Sequence, residues 1–142
     1  MRKILTTTFV LLAMTTTFLT ACNSKAKETK DAKEAKEAKD VQADPRSVAE
    51  AIFDAARSGS YGGLAVLIDP DADTDAKMIT QVSADKTIQD QFKEHFSKGK
   101  VSAEPVVSGE TASVKILFGP DGTKEETFEM VQKNGKWYLK SF

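Results

Sequence analysis

Within residues 44–142 the spacing of apolar residues changes near Gly99, and this change constrains the fold more than any other feature. Before Gly99 the apolar residues recur about every 3.6 positions, which is typical of amphipathic helices. After Gly99 they alternate with polar residues, which is typical of half-buried strands. Helices followed by a run of antiparallel strands predict an α+β domain. We therefore expect N-terminal helices packed on a curved antiparallel sheet of about four strands.

The helical half contains three candidate helices. Asp44-Pro45 is a start signal, because Asp caps a helix and Pro fits its first turn, and Gly59 is an end signal. Ser60 resembles a second cap and predicts a short helix that ends before Asp69-Pro70. A third helical stretch runs from about residue 75 to residue 98, with a break near Ser83 and this apolar set: Met78, Ile79, Val82, Ile88, Phe92 and Phe96.

The second half contains four candidate strands at residues 100–108, 111–118, 125–132 and 137–142. Pro105 marks the first of them as an edge strand or a bulged one. Asn134-Gly135 predicts a tight hairpin turn between the last two strands, because both residues accept positive φ. The inward face of the sheet is predicted to form the core, with the alternative that some of its side chains line a ligand pocket: Phe118, Phe128, Met130 and Trp137.

The first 21 residues have the pattern of a secretory signal peptide, with Arg2 and Lys3 before an apolar stretch that is too short and too rich in Thr for a membrane span. The segment ends in Leu19-Thr20-Ala21-Cys22, which resembles the lipobox of bacterial lipoproteins. That resemblance implies cleavage before Cys22 and attachment of a diacylglycerol, with further acyl chains such as palmitate, to this residue. The alternative is a free Cys22 thiol behind an ordinary cleavage site.

The lipoprotein resemblance also implies a location in the bacterial cell envelope. Removing Arg2 and Lys3 from the 20 basic residues leaves 18 against 21 acidic ones, so no excess positive charge remains to bind anionic lipids. We expect the lipid on Cys22 to hold the protein at the membrane. Asn23 follows the Cys where an Asp would favour retention at the inner membrane by resemblance to enterobacterial sorting, so the outer membrane is favoured over the inner one.

Residues 22–43 form a predicted spacer of Lys, Glu, Asp and Ala in repeating triplets. The residue types favour helix, but the segment has almost no large apolar side chain to bury. We predict a partly helical, semi-rigid spacer. The alternative is a coiled coil or a partner-binding helix, but this segment lacks the apolar seam that such a helix needs.

The domain at residues 44–142 resembles the nuclear transport factor 2-like (NTF2-like) superfamily, and among its members the small lipoproteins of unknown function. The resemblance rests on the order of elements, on an opening that reads ADPRSVAEAIFDAARSGSYGGLAVLIDP and on an ending that reads GKWYLKSF. It implies a cone-like fold in which the sheet wraps around the helices and leaves a pocket. Members of the superfamily include enzymes, binding modules and dimeric scaffolds, so the fold does not define the function.

Few residues suggest a catalytic, metal-binding or phosphate-binding role. His95 is the single imidazole, and in enzymatic relatives a His with an acid transfers protons inside the cone; the simpler interpretation is a surface residue near a helix C-terminus. The acidic run 69–75 resembles the start of a calcium loop but lacks its Gly and its final Glu, which favours a capping turn. Gly62-Gly63 lacks the Lys-Ser/Thr pair of a phosphate loop.

Composition excludes further classes. One Cys and one His do not build a Cys-rich or His-rich zinc site, and a net charge of −1 does not suit a nucleic-acid binder. We therefore predict no catalytic, cofactor or metal site. The leading interpretation is a non-catalytic binding or interaction module for a small apolar ligand or an envelope protein. The alternatives are a hydratase or isomerase that uses His95 and an acid, and a structural envelope protein that forms a homodimer through its sheet.

Overall fold

The structure is a computed structural model, and it describes residues 40–142. Three helices precede five strands, which confirms the predicted α+β class. The bounds of these elements are α1 Pro45–Ser58, α2 Thr74–Gln81, α3 Lys86–Phe96, β1 Lys100–Val101, β2 Val106–Ser108, β3 Thr111–Phe118, β4 Lys124–Lys133 and β5 Lys136–Ser141.

Helix α1 has the start and the end that the sequence predicts. The Asp44 carboxylate accepts a hydrogen bond of 3.0 Å from the Ser47 N–H, and Pro45 occupies the first turn. Gly59 ends the helix with a φ of 73°, and its N–H donates to the Ala55 carbonyl at 2.9 Å. The helix buries one face, formed by Val48, Ala49, Ile52, Phe53, Ala55 and Ala56.

The prediction of a short helix after Ser60 is wrong. The segment forms only a 3₁₀ turn at Ala65–Leu67, and the chain then runs beside β5. Ile68 forms an isolated parallel bridge to Leu139, and the Asp69 N–H donates to the Leu139 carbonyl at 2.8 Å. The apolar residues of this segment are buried by packing along the sheet, so their spacing needs no helix.

The third helical stretch is divided into α2 and α3, as the predicted break near Ser83 requires. Asp73 caps α2 by accepting a 2.8 Å hydrogen bond from the Ala76 N–H. Asp85 caps α3 by accepting from the N–H groups of Thr87 and Ile88 at 2.8 and 3.2 Å. Each helix therefore has its own N-terminal carboxylate.

The sheet has five strands rather than about four, because residues 100–108 do not form one continuous strand. Strand β3 pairs antiparallel with β1 and β2 on one side and with β4 on the other, and β4 pairs with β5. Regular pairing stops after Ser102, whose N–H still donates to the Lys115 carbonyl at 2.9 Å, and Pro105 has no N–H to donate. Along the described part of the chain, no further strand pairs with the outer edge of β1 and β2.

The two faces of the sheet follow the predicted alternation. In β3 the four inward residues Ala112, Val114, Ile116 and Phe118 are buried, and Val114 lies opposite Phe128 of β4. Asn134 and Gly135 form the β4–β5 turn with φ values of 53° and 76°, which confirms the predicted hairpin. A register shift at Glu129/Met130 interrupts the β4–β5 ladder.

A cluster of aromatic rings fills the space between the helices and the sheet. The ring of Phe96 from α3 lies 5.3 Å from Phe118 and 6.4 Å from Phe128, measured between centroids. Phe53 from α1 stacks on Phe128 at 5.8 Å. Phe118, Phe128, Met130 and Trp137 are all buried, which confirms their assignment to the core.

The residues just before α1 pack on the domain, although the sequence assigns them to the spacer. Val41–Ala43 forms a 3₁₀ turn, and Gln42 is buried. The Gln42 side-chain amide donates to the carbonyls of Val66 and Trp137 at 3.1 and 3.2 Å. The residues that pack on the domain therefore include Val41–Ala43, ahead of α1. The signal peptide, Cys22 and the spacer up to residue 39 lie outside the described residues.

Candidate functional site

A cavity of about 520 Å³ lies between α2 and α3. Its walls are the facing sides of the two helices, and Phe142, which follows β5, completes the lining. Most of the lining is apolar, and the full set is Asp75, Met78, Ile79, Val82, Ile88, Gln91, Phe92, Glu94, His95, Phe96 and Phe142. No strand residue takes part, so the cavity lies beside the aromatic core and not beneath the sheet.

The break between the two helices positions the cavity walls. Ile79, Val82, Phe92 and Phe96 are buried at its base, whereas the Met78 side chain is 44% exposed. Phe92 and Phe96 stack with 4.8 Å between centroids, and Phe142 meets Phe96 edge-on at 5.8 Å. The base of the cavity is therefore a packed apolar surface with two stacked rings, and the adaptable Met78 side chain lies nearer to solvent.

His95 lies on the wall of this cavity, on an exposed turn of α3. Its Nδ1 atom is 2.9 Å from the Gln91 carbonyl, one turn back along the helix. Its backbone carbonyl accepts a 2.7 Å hydrogen bond from the Gly119 N–H. Asp75 and Glu94 line the same cavity, so the structure brings the imidazole and two carboxylates to one site.

Sequence reasoning found these residues but missed the cavity that they share. The sequence assigns Met78, Ile79, Val82, Ile88, Phe92 and Phe96 to the apolar face of a helical stretch, and Phe142 to the end of the last strand. Helical periodicity shows which face of a helix is apolar, but not whether a neighbour fills the space beside that face. Phe142 carries no sequence signal that distinguishes a core residue from a cavity residue.

The acidic run 69–75 forms a capping turn rather than a calcium loop. The Asp69 side chain is only 1% exposed, and its carboxylate accepts a 2.7 Å hydrogen bond from the Asp71 N–H. The Lys133 ammonium lies 2.7 Å from the other Asp69 oxygen and 3.2 Å from an Asp71 oxygen. Within residues 40–142 no group of three His, Cys, Asp or Glu side chains is placed to hold a metal ion.

The pKa of Asp69 lies below its usual value. Burial alone would raise this pKa, but the hydrogen bonds from Lys133 and from the Asp71 N–H, together with the charges of Lys133 and Lys140, outweigh that effect. Because the same contacts favour the charged ammonium, the pKa of Lys133 is raised. The ion pair therefore ties the turn before α2 to the end of β4.

This ion pair predicts acid sensitivity with a defined sign. A depressed folded-state pKa means that Asp69 stabilises the fold above its unfolded pKa of about 3.9, and that this stabilisation is lost as pH falls through the folded value. We expect the free energy of unfolding in urea to fall less between pH 7 and pH 3 in Asp69→Asn than in the wild type. Asp121→Asn, in an exposed turn, is the control and should keep the wild-type difference. An unchanged difference in Asp69→Asn would contradict this assignment.

The outer face of the sheet carries mixed polar and charged side chains. Ser113 donates a 2.8 Å hydrogen bond to Glu129 on the neighbouring strand, and Lys115 is exposed on the same face. Apolar exposure is found at the edge instead, where Val106 and Val107 of β2 are 70% and 53% exposed. Pairing of two copies through the sheet face stays a prediction.

Comparison with known proteins adds one resemblance in structure. No protein-family model matches the chain, and no curated protein matches it. A solved structure from Campylobacter jejuni, described as a "Putative NTF2-like transpeptidase", is similar at a TM-score of 0.44 and 17% identity over 70% of this chain and 98% of that chain. The architecture stated above rests on the described helices and strands alone.

No helix among residues 40–142 has the length and hydropathy needed to cross a membrane.

Proposed function

We propose that this chain is a bacterial envelope lipoprotein, anchored by lipid on Cys22, whose NTF2-like domain is a non-catalytic module that binds a small apolar ligand. The observation that carries the binding proposal is the cavity between α2 and α3. Its volume of about 520 Å³ lies in the range of ligand pockets, roughly 300–1,000 Å³. Each CH₂ group that a ligand buries there would contribute about 0.8 kcal/mol.

The construction of the lining favours binding over a purely structural role. The packed rings at the base provide a large apolar contact area, and Met78 can change rotamer to follow different ligand shapes. The few polar groups lie among these apolar residues, which is the usual composition of a small-molecule site.

The binding proposal is tested by placing a charge in the wall. We expect the neutral dye Nile red to bind the wild type and to bind Met78→Lys at least tenfold more weakly, because an ammonium in an apolar cavity resists desolvation. Fluorescence titration measures both affinities. Val106→Lys is the matched control, because Val106 is 70% exposed and does not line the cavity. Equal affinity of the two Lys variants would overturn the assignment of this site.

The anchoring proposal rests on the lipobox resemblance and is tested separately. In a bacterial host, Cys22→Ala should accumulate as an uncleaved or soluble precursor and should incorporate no labelled palmitate, because the acylated thiol is lost. Ser24→Ala should be processed and should fractionate with membranes like the wild type. A processed, membrane-bound Cys22→Ala protein would show that the lipoprotein assignment is wrong.

A second candidate function is favoured by the position of His95. The cavity lining contains His95 together with Asp75 and Glu94, which are the residue types that a hydratase or an isomerase uses for proton transfer. The Nδ1 of His95 is engaged by the Gln91 carbonyl, so Nε2 is the atom left for such a role. The enzyme is favoured over the binding module if the wild type turns over a substrate of hydratase or isomerase type and His95→Gln does not. The variant must still bind Nile red, which shows that the cavity is intact.

A further inference from the structure

We infer that the cavity between α2 and α3 selects amphiphiles with an apolar body and a cationic head group. This inference rests on the proposed binding function and specifies the chemical class of the ligand. Two features of the described residues carry it, the apolar lining discussed above and the sign of the charges on the cavity wall.

Apart from His95, the ionisable side chains on the cavity wall are two carboxyl groups. Asp75 stands in the first turn of α2, and Glu94 stands near the end of α3. No Lys or Arg of residues 40–142 is among the lining residues. His95, the remaining titratable group on the wall, adds a positive charge only in its doubly protonated form.

Some acids of the domain have a basic partner among the described residues, but these two carboxylates do not. Glu50 and Asp54 pair with Arg46 and Arg57, and Asp90 of α3 pairs with Lys86. Neither Asp75 nor Glu94 forms an ion pair with any residue in the described part of the chain. The cavity therefore carries, beside its apolar lining, two carboxylates without ion-pair partners in residues 40–142.

The apolar lining and the two carboxylates together define the chemical class of the ligand. An alkyl or aryl body would occupy the space over Phe92, Phe96 and Phe142, and an ammonium group would lie at the rim beside Asp75 and Glu94. Because the carboxylates are exposed, their attraction is that of charges near water, which amounts to about a tenfold gain in affinity for a cation at close range. An anionic head group on the same tail is repelled, and added salt weakens both effects.

The test compares three ligands that share one tail. Decyltrimethylammonium, decanol and decanoate, each below its aggregation concentration, are titrated into the mature protein at low salt and neutral pH, with binding measured by calorimetry. We expect the cation to bind about tenfold more tightly than decanol and decanoate to bind most weakly. Raising the salt to about 1 M should reduce the preference, because the screening length falls to about 3 Å.

Two variants with matched charge changes locate the effect. In the double variant Asp75→Asn with Glu94→Gln, decyltrimethylammonium should lose most of its advantage, whereas decanol should bind as it does to the wild type. The double variant Asp90→Asn with Glu110→Gln also removes two acids, but neither residue lines the cavity, so it should keep the wild-type order.

The outcomes separate the two proposals. If the three ligands bind with equal affinity, or if decanoate binds best, the selectivity is overturned and the apolar binding function stands. If the preference survives in the double variant, it does not come from these carboxylates and the inference is wrong. If none of the three binds, the inference fails together with the binding function.

Discussion

Phe128→Ala is expected to lower the free energy of unfolding by about 3–5 kcal/mol, the usual cost of truncating a fully buried Phe. Phe128 is completely buried, and its ring lies 5.8 Å from Phe53 and 5.3 Å from Phe142 between centroids. The substitution removes contacts with α1 and with the end of β5 at once. The remaining rings are held by their own neighbours, so the space left by the Phe128 ring cannot close completely.

Urea unfolding, followed by circular dichroism, measures this loss. Tyr138→Ala is the matched control, because Tyr138 lies on a neighbouring strand and is only half-buried. It should destabilise the domain clearly less. A change below about 0.5 kcal/mol in Phe128→Ala would contradict the position of the core, since surface substitutions have effects of that size.

Gly99→Ala is expected to destabilise the domain by about 1–3 kcal/mol, although it adds only one methyl group. A Cβ atom at this position would lie 2.2 Å from two ring carbons of Phe53 and 2.9 Å from the Phe96 carbonyl oxygen. Phe53 cannot move away freely, because its ring stacks on Phe96 at 6.2 Å and on Phe128. The substitution therefore forces α1 or the start of β1 to shift.

The same denaturation measurement provides the control. Gly63→Ala adds the same methyl group where no atom lies within 4 Å of the added Cβ and where φ is not positive. Its effect should be near zero or slightly stabilising, because Ala restricts the unfolded chain. If Gly99→Ala and Gly63→Ala have equal stability, the close approach of Gly99 to the Phe53 ring is contradicted.

Local signals in the sequence predicted the elements whose ends are defined by local chemistry. Asp44, Pro45 and Gly59 define α1 through caps that act within a few residues, and Asn134-Gly135 defines the last hairpin in the same way. The alternation in β3 predicted its buried face. These features depend on neighbours in sequence, so one chain is enough to predict them.

The remaining differences come from contacts between distant residues. Leu64, Leu67 and Ile68 have helical spacing, yet the parallel bridge from Ile68 to Leu139 holds this segment along β5. Gln42 is buried because it reaches the carbonyls of Val66 and Trp137, and a polar residue beside a charged repeat gives no sign of this. The cavity depends on how far α2 lies from α3, which no pattern within either helix determines.

The interruption of the sheet edge at residues 102–105 also bears on how copies of this protein behave when they are crowded. A continuous strand over 100–108 would offer a long template for strand addition from another molecule. The edge instead offers two residues in β1 and three in β2, separated by a segment in which Pro105 cannot donate a hydrogen bond. An intruding chain gains few backbone hydrogen bonds before it meets the gap. This edge is thus a poor template for amyloid-like polymerisation.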